Sequence, residues 1–326
     1  FLTGCEGQQE SIQPRVDTEQ TSTIELETEE ESLEIEEQDF KIVFKYDCFN
    51  LDEVDFTYLP FKNQSEFENT IRDYIKGMTK YTGCEDWYLE YGDDIEECAI
   101  TFKFDSISFG SYDNLGGKTD PVRKISDNKI STTITLNRSH FESGRTHLAH
   151  ELTHMIFGAT FSQPICEGLC DYLSRKYEGE KSSYFSLKCN TVNDILKGYY
   201  EPTIREYYSQ EELREYELYK YELMNSIASM GTGYSYRLSG SEANIWFEFS
   251  ESFVGYLIEE YGIEKFMDFY KYAETEEDYV MLDPEGYVKI QNDWIKMYNE
   301  YESELDAEEF QKEIEEFMAR SSLHTE

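Results

Sequence analysis

The chain has 326 residues, of which 69 are Asp or Glu and 29 are Lys or Arg, so its net charge is −40 at pH 7. This charge argues against nucleic acids and anionic membrane surfaces as partners, because both repel an acidic protein, and it favours basic peptides as substrates. Aromatic residues make up 16% of the chain, which indicates a sizeable packed core. The sequence contains no run of about eighteen apolar residues, so no transmembrane helix is predicted within it.

Residues 1–38 are predicted to be a tether rather than a folded domain. The LTGC run that ends at Cys5 resembles a bacterial lipobox, which implies that lipid on Cys5 anchors the protein to the outer face of the cell membrane. The alternative is that Cys5 is a free surface cysteine. Residues 6–38 are rich in Glu, Ser and Thr and nearly lack aromatic residues, so they bury too little apolar surface to fold.

From residue 39 the composition becomes aromatic and β-branched, which predicts a small sheet with one helix. Alternating apolar residues predict strands at Lys41–Tyr46, Ala99–Phe104 and Ser131–Leu136. Apolar residues at helical spacing predict a helix at Ser65–Tyr81. The NLGGKTD segment at Asn114–Asp120 is predicted to be a turn-rich loop.

His150, Glu151 and His154 form an HExxH motif. Residues four apart lie on the same face of a helix, so both imidazoles can bind one zinc ion while Glu151 reaches a water on that zinc. Chance matches to this motif occur, and a helix that merely carries two histidines is the alternative. The context favours a zinc site, because the chain has only five histidines and four of them lie within residues 140–154.

The motif is predicted to lie on one continuous helix. Ser139 and Glu142 form a possible capping box at its start, and Gly158 is a natural stop at its end. An apolar stripe at helical spacing runs beside the two motif histidines, formed by Phe141, Leu148, Leu152, Met155 and Ile156.

A second helix is predicted after Pro164, and a short turn makes it the antiparallel neighbour of the motif helix. Glu167 on this helix is the predicted third zinc ligand, since a catalytic zinc usually takes three protein ligands. Asp171, one turn further, is placed to accept the outer N–H of a zinc-binding histidine. The alternative for Glu167 is a solvated glutamate in a very acidic chain.

The HELTH run and the EGL helix after it resemble the gluzincins, the thermolysin-like and peptidase MA-like zinc metallopeptidases whose third ligand is a glutamate. The spacing of Glu167 and Asp171 matches the ligand and its outer partner in that superfamily, and Ser250–Tyr270 is similar to a helix that follows the site in the MA-like branch. The resemblance covers about residues 131–270.

The chain departs from the family pattern in two places. The spacer between His154 and Glu167 is shorter than is usual in the aminopeptidases, which puts the helix pairing in question. Phe247 stands where the branch often has a tyrosine, which leaves the residue that stabilises the transition state unassigned.

The resemblance implies an α+β, zincin-like, two-lobed fold. A small mixed sheet and the active-site helix would form an N-terminal lobe at residues 39–158, and residues 159–326 would form a mostly helical C-terminal lobe. It also implies that an edge strand before the motif helix binds the substrate backbone, for which Ser131–Leu136 is the candidate.

The C-terminal part is predicted to be mostly helical. The predicted helices span residues 209–229, 242–261, 263–272 and 300–320. A loop rich in Gly, Ser and Tyr lies at residues 231–240, where Tyr234, Tyr236 and Arg237 are candidates to hold the oxyanion of the reaction. With 27 tyrosines in the chain, ordinary surface residues are the alternative.

Six cysteines remain when Cys5 is set aside, and an even number in an exported protein predicts three disulfides. These cysteines are Cys48, Cys84, Cys98, Cys166, Cys170 and Cys189. Cys166 and Cys170 are poorly placed to bridge each other on one helix, so other partners are expected, Cys189 among them. A cysteine-based zinc site is the alternative, although the chain has no CxxC pair.

These features predict a zinc-dependent metallopeptidase, a monomer that acts on peptides or proteins outside a bacterial cell. We expect an endopeptidase, because the Gly-x-Met-Glu-Asn segment with which related aminopeptidases capture a free amine is absent. The alternatives are a non-catalytic binding lipoprotein on the same scaffold and a zinc hydrolase that does not cleave peptides.

Overall fold

The computed structural model describes residues 40–105, 108–109, 112–113, 116–178, 227 and 241–304. These residues combine a small mixed sheet with helices, so the fold is α+β, as the sequence predicts. The strands are β1 Lys41–Asp47, β2 Glu97–Phe104, β3 Ser108–Phe109, β4 Tyr112–Asp113, β5 Gly117–Thr119, β6 Arg123–Ser126 and β7 Lys129–Leu136. The helices are α1 Gln64–Thr82, α2 Arg138–Glu142, α3 Leu148–Phe157, α4 Gln163–Glu178, α5 Ser241–Tyr261, α6 Ile263–Tyr272 and α7 Tyr287–Glu304.

Three parallel strands form the centre of the main sheet, in which β1 pairs with β2 and β2 pairs with β7. The other side of β7 pairs with two antiparallel strands, β5 along its C-terminal half and β6 along its N-terminal half. The prediction that residues 131–136 form an edge strand is therefore wrong, because hydrogen-bonded strands flank β7 on both sides. β3 and β4 form a separate two-stranded ribbon.

Strand β5 lies next to β7 at the edge of the main sheet. It falls inside Asn114–Asp120, the segment that the sequence predicts to be a loop. The loop prediction for residues 117–119 is wrong for a physical reason. A strand of three residues that begins with glycine is too short to show an alternating pattern, and its existence depends on pairing with a strand that lies further along the chain.

One side of β7 is buried, because Ile130, Ile134 and Leu136 are fully covered. Helix α1 covers the same sheet, and the rings of Phe67 on α1 and Phe102 on β2 meet edge to face with centroids 5.1 Å apart. Each apolar side chain of this size contributes about 1.5–3 kcal/mol when it is buried. The buried apolar residues of the described chain form one continuous core that also includes the C-terminal helices.

Helix α1 agrees with its prediction within one or two residues. The Asn63 side chain accepts a hydrogen bond from Glu66 N at 3.0 Å, and Glu66 Oε2 accepts one from Lys62 N at 2.8 Å. Gly83 ends the helix in the left-handed conformation with φ 70°, which glycine adopts without steric cost.

The predicted continuous motif helix is wrong, because the chain forms two helices with a break between them. Asn137, rather than Ser139, caps the first helix, since its side-chain oxygen accepts from Ser139 N at 3.0 Å. This helix ends at Glu142, and His147 precedes the second helix with a left-handed φ of 53°. The stop at Gly158 is confirmed, because its N–H donates to the carbonyl oxygen of His154 at 3.0 Å.

In the C-terminal part, α5 and α6 confirm the predictions for residues 242–261 and 263–272. Helix α7 starts earlier than the predicted residue 300, and positions 305–320 of that prediction lie outside the described residues. So do the predicted loop at 231–240 and, apart from residue 227, the predicted helix at 209–229.

The tether and anchor predicted for residues 1–38 also lie outside the described residues, and the division into two lobes at residue 158 stays a prediction. Within the part of the chain that the structure describes, no helix is both long and apolar enough to cross a lipid bilayer.

Candidate metal centre

Helices α3 and α4 pack against each other and bring three side chains to one point. The Nε2 atoms of His150 and His154 each lie 3.4 Å from the same carboxylate oxygen, Oε2 of Glu167. All three side chains are mostly covered, with 14%, 22% and 17% of their surface exposed. The two histidines lie one helical turn apart, and their rings meet edge to face.

The spacing of these atoms suits a cation held between them. A hydrogen bond between a charged nitrogen and a carboxylate is usually about 2.7–2.9 Å long, which is shorter than the observed 3.4 Å. Two ligand atoms that each lie about 2.0–2.1 Å from one tetrahedral zinc ion are about 3.4 Å apart. The donor set of two imidazoles and one carboxylate therefore fits zinc in chemistry and in spacing.

The outer nitrogen of His150 is held by a carboxylate, as the sequence predicts. His150 Nδ1 lies 2.7 Å from Oδ1 of Asp171. Burial alone would lower the pKa of His150, but the carboxylates of Asp171 and Glu167 together outweigh burial and raise the pKa to about 10. This partner leaves Nε2 of His150 directed towards Glu167.

The electrostatics of the pocket favour positive charge between the three side chains. Burial alone would raise the pKa of Glu167, but the neighbouring histidines hold it below its ordinary value. Burial would also lower the pKa of His154, whereas Glu167 raises it well above its ordinary value. The carboxylates that favour protons on these imidazoles would equally favour a metal cation in their place.

Glu151 is buried, with 3% of its surface exposed, and it points at strand β5. The Thr119 hydroxyl lies 2.7 Å from Oε2 of Glu151 and 2.9 Å from its backbone oxygen. Burial raises the pKa of Glu151, although His150 and His154 oppose that shift. The Glu151 carboxylate, which has a raised pKa and bonds to Thr119 of strand β5, has the properties of a general base.

Glycines allow β5 to approach α3 this closely. A Cβ atom on Gly117 would overlap the Glu151 carboxylate and would lie 2.7 Å from its Cγ. A Cβ atom on Gly116 would overlap the His147 ring. On α4, a Cβ atom on Gly168 would overlap the carbonyl oxygen of Ser250 on α5.

The outer nitrogen of His154 contacts sulfur rather than a carboxylate. His154 Nδ1 lies 3.4 Å from Sγ of Cys170 and 3.7 Å from Sγ of Cys166. His150, His154 and Cys170 thus also form a group whose potential ligand atoms lie within 4.8 Å of one another. We favour the set with Glu167, because Cys170 lies against Nδ1 of His154 while Nε2 of the same ring points at Glu167.

The prediction of three disulfides is not confirmed. All five cysteines in the described part of the chain are free thiols, and Cys189 lies outside it. Cys166 and Cys170 were expected to bridge other cysteines, but both pack against His154 instead. An even number of cysteines does not show where the fold places them.

Helix α3 obtains its N-terminal cap from a distant residue. Oε1 of Glu178, at the end of α4, accepts hydrogen bonds from Ala149 N at 3.0 Å and from the Thr146 hydroxyl at 2.7 Å. His147 at the cap position makes no side-chain capping bond of its own. Glu178 therefore fixes both the start of α3 and its position against α4.

The structure brings together five of the predicted site residues, which are His150, Glu151, His154, Glu167 and Asp171. Cys5 and the oxyanion candidates Tyr234, Tyr236 and Arg237 lie outside the described residues. Phe247 has no hydroxyl group and packs edge to face on Trp246, with ring centroids 5.1 Å apart.

Sequence reasoning missed Thr119, Gly117, Glu178 and the two thiols beside His154. The sequence does contain one indication of strand β5. The adjacent glycines at 116 and 117 are typical of a strand that another backbone or side chain approaches closely, and the β-branched Thr119 follows two positions later.

No protein-family model, no curated protein and no solved structure matches this chain. The gluzincin resemblance therefore stays a prediction.

Proposed function

We propose that this protein is a zinc-dependent hydrolase that cleaves peptide bonds, with a zincin-like arrangement of its active site. The observation that carries the proposal is the convergence of His150 Nε2 and His154 Nε2 on one oxygen of Glu167, each at 3.4 Å, beside the buried Glu151. His150, His154 and Glu167 would hold the zinc. When bound, zinc lowers the pKa of a coordinated water to near neutrality and polarises a substrate carbonyl.

The residues of the chain would supply the remaining steps. Glu151 would accept a proton from the attacking water and return it to the leaving nitrogen. Its burial raises its pKa, which favours this proton transfer. Asp171 would hold His150 in the tautomer that leaves Nε2 free for the cation.

Strand β5 is the proposed binding edge for the substrate. It is the terminal strand of the described main sheet on the side of α3, and Thr119 on this strand bonds to Glu151. An extended peptide that paired with β5 would lie beside the general base, and backbone pairing would suit an endopeptidase that accepts varied sequences. The anchor at Cys5, the acidic tether and the location outside a bacterial cell remain part of the same proposal.

The experiment that tests this function is hydrolysis of a quenched fluorescent peptide library by the full chain. We expect cleavage that a chelator abolishes and added zinc restores. Glu151→Gln should keep its zinc and lose roughly a hundredfold to ten-thousandfold in rate, because general-base catalysis contributes about that much. Glu85→Gln, which changes an exposed glutamate, is the matched control.

A Glu151→Gln protein that binds zinc and cleaves as fast as the wild type would contradict the mechanism. Bound zinc without cleavage of any peptide would favour a hydrolase of another bond. A folded chain without zinc and without turnover would favour the binding lipoprotein.

A further inference from the structure

Helix α4 presents two parallel rows of side chains to α3. Glu167 and Asp171, four residues apart, face His150 with their carboxylates. Cys166 and Cys170, one position earlier in each turn, face His154 with their thiols. Glu167 also lies 3.4 Å from His154 Nε2, so the two histidines share this carboxylate and differ in the partner of their outer nitrogen, Asp171 for His150 and thiols for His154.

The thiols contact the nitrogen of His154 that faces away from Glu167. Cys170 Sγ lies 3.4 Å from Nδ1, and Cys166 Sγ lies 3.7 Å from it, while Nε2 lies 3.4 Å from Glu167. Sulfur is larger than oxygen, so these separations are hydrogen-bonding distances for a thiol. Cys170 is fully buried and Cys166 is nearly so, which keeps water from replacing either sulfur.

Further contacts hold the two thiols in place. The Cys170 thiol is placed to donate to Cys166, and this hydrogen bond is the largest cause that holds the pKa of Cys166 well below its ordinary value. Cys166 Sγ also lies 3.7 Å from the carbonyl oxygen of Gly158 and 3.6 Å from the Tyr270 hydroxyl, which itself donates to that carbonyl at 2.8 Å. A chain of hydrogen bonds can therefore run from His154 Nδ1–H to Cys170 Sγ, and from the Cys170 thiol to Cys166 Sγ.

We propose that Cys170 is a positioning residue that accepts the Nδ1 proton of His154, with Cys166 holding Cys170 in place. This bond keeps the proton of the neutral His154 ring on Nδ1, which leaves the lone pair of Nε2 free to bind the cation. The inference rests on the proposed zinc site and adds the partner of its second histidine. Metal-binding histidines nearly always donate their other N–H to an acceptor, and loss of that acceptor typically weakens metal binding about tenfold to a hundredfold.

The geometry argues against Cys170 as a direct zinc ligand. The two nitrogens of an imidazole ring point in different directions, so an ion at Nε2 between His150 and Glu167 lies away from a sulfur at Nδ1. The pair is also unsuited to a disulfide, because side chains four apart on a helix have Cβ atoms about 5–6 Å apart, whereas a disulfide needs about 3.5–4.5 Å.

The test is the zinc affinity of the full chain, measured by competition with a chromophoric chelator under reducing conditions. We expect Cys170→Ala to bind zinc about tenfold to a hundredfold more weakly than the wild type. Cys170→Ser, whose hydroxyl can accept the same proton, should recover most of the loss. Cys98→Ala removes another buried thiol, in β2, and should bind zinc as the wild type does.

Two further measurements separate positioning from folding and from ligation. The unfolding midpoint of metal-free Cys170→Ala should fall no further than that of Cys98→Ala. If Cys170→Ala does not fold, Cys170→Ser and the wild-type cobalt spectrum still decide the question. Cobalt in the wild-type site should show no sulfur-to-metal charge-transfer band, since the proposal places sulfur outside the coordination sphere.

Unchanged zinc affinity in Cys170→Ala, beside tight binding in the wild type, would overturn this inference and leave the proposed function intact. A sulfur-to-cobalt band would overturn it by making Cys170 a ligand. A folded wild-type chain that binds no zinc would reject the proposed metal site and this inference together.

Discussion

Glu151 depends on a residue that is 32 positions away in the chain. Its Oε2 lies 2.7 Å from the Thr119 hydroxyl, and its backbone oxygen lies 2.9 Å from the same group. The threonine therefore ties both the side chain and the backbone of the proposed base to strand β5. The HExxH motif identifies Glu151 as the proposed base, but a hydrogen bond from a strand outside the motif holds its side chain in place.

Removing this hydroxyl is predicted to reduce turnover without removing the metal. Thr119→Val keeps the shape of the side chain and loses a hydrogen bond to a carboxylate, which is worth about 1.5–3 kcal/mol. We expect kcat to fall roughly tenfold to a hundredfold while bound zinc stays at the wild-type level. Thr119→Ser retains the hydroxyl and should restore most of the rate in a peptide-cleavage assay. Equal rates in the wild type and Thr119→Val would show that the bond does not position the base.

Strand β5 packs closely against helix α3 at Gly117. A methyl group on Gly117 would overlap the Glu151 carboxylate, so Gly117→Ala must displace either the strand or the base. We expect roughly a hundredfold loss of kcat/KM, as small misplacements of a catalytic group can produce, and about 1–3 kcal/mol less stability.

Gly255→Ala is the matched control, because a methyl group there meets only ordinary contacts, the nearest being 3.7 Å away on Tyr172. Wild-type activity in Gly117→Ala would contradict the placement of β5 against Glu151.

Glu178 connects the end of α4 to the start of α3, and its burial makes the stability of that junction depend on pH. Burial raises the pKa of Glu178 above its usual 4.5, so the folded chain holds this proton more tightly than the unfolded chain does. The resulting stabilisation is full below about pH 4.5 and is lost as the pH rises through the folded pKa.

Glu178→Gln retains an oxygen for Thr146 and Ala149 but cannot titrate, so its stability should fall less steeply above about pH 4.5 than that of the wild type. Glu178→Ala should cost about 1–3 kcal/mol at any pH, because buried donors lose their acceptor. Urea unfolding of the metal-free protein in chelator measures both effects, with Glu85→Gln as the exposed control. Identical pH slopes in Glu178→Gln and the wild type would contradict the predicted shift.

The elements that the sequence predicts well are those whose pattern is local. Helical spacing predicts the motif histidines on one face of α3, and the short turn before the second predicted helix places Glu167 beside that face. Strand β5 could not be predicted in this way, because its pairing with β7 and its contact with Glu151 are decided by tertiary packing. The count of cysteines likewise predicts disulfides but cannot show that Cys170 lies against His154.

The charge of the whole molecule gives a prediction about substrates. With 69 acidic and 29 basic residues, the chain should attract cationic peptides and repel anionic ones over long distances. We expect a higher kcat/KM for a peptide flanked by lysines than for one flanked by glutamates around the same scissile bond.

The ratio should shrink as salt is raised from about 0.01 M to about 1 M, since the screening length falls from about 30 Å to about 3 Å. A ratio that does not change with salt would assign the preference to local contacts.

We propose that His150, His154 and Glu167 together hold one zinc ion, and elemental analysis of the purified full chain measures this occupancy. The comparison needs the wild type, Glu167→Ala, and Glu85→Ala as a control that removes an exposed carboxylate. We expect one zinc per chain in the wild type and in Glu85→Ala, and much less in Glu167→Ala. A folded wild-type chain without zinc would contradict the claim, and zinc fully retained by Glu167→Ala would place the third ligand elsewhere.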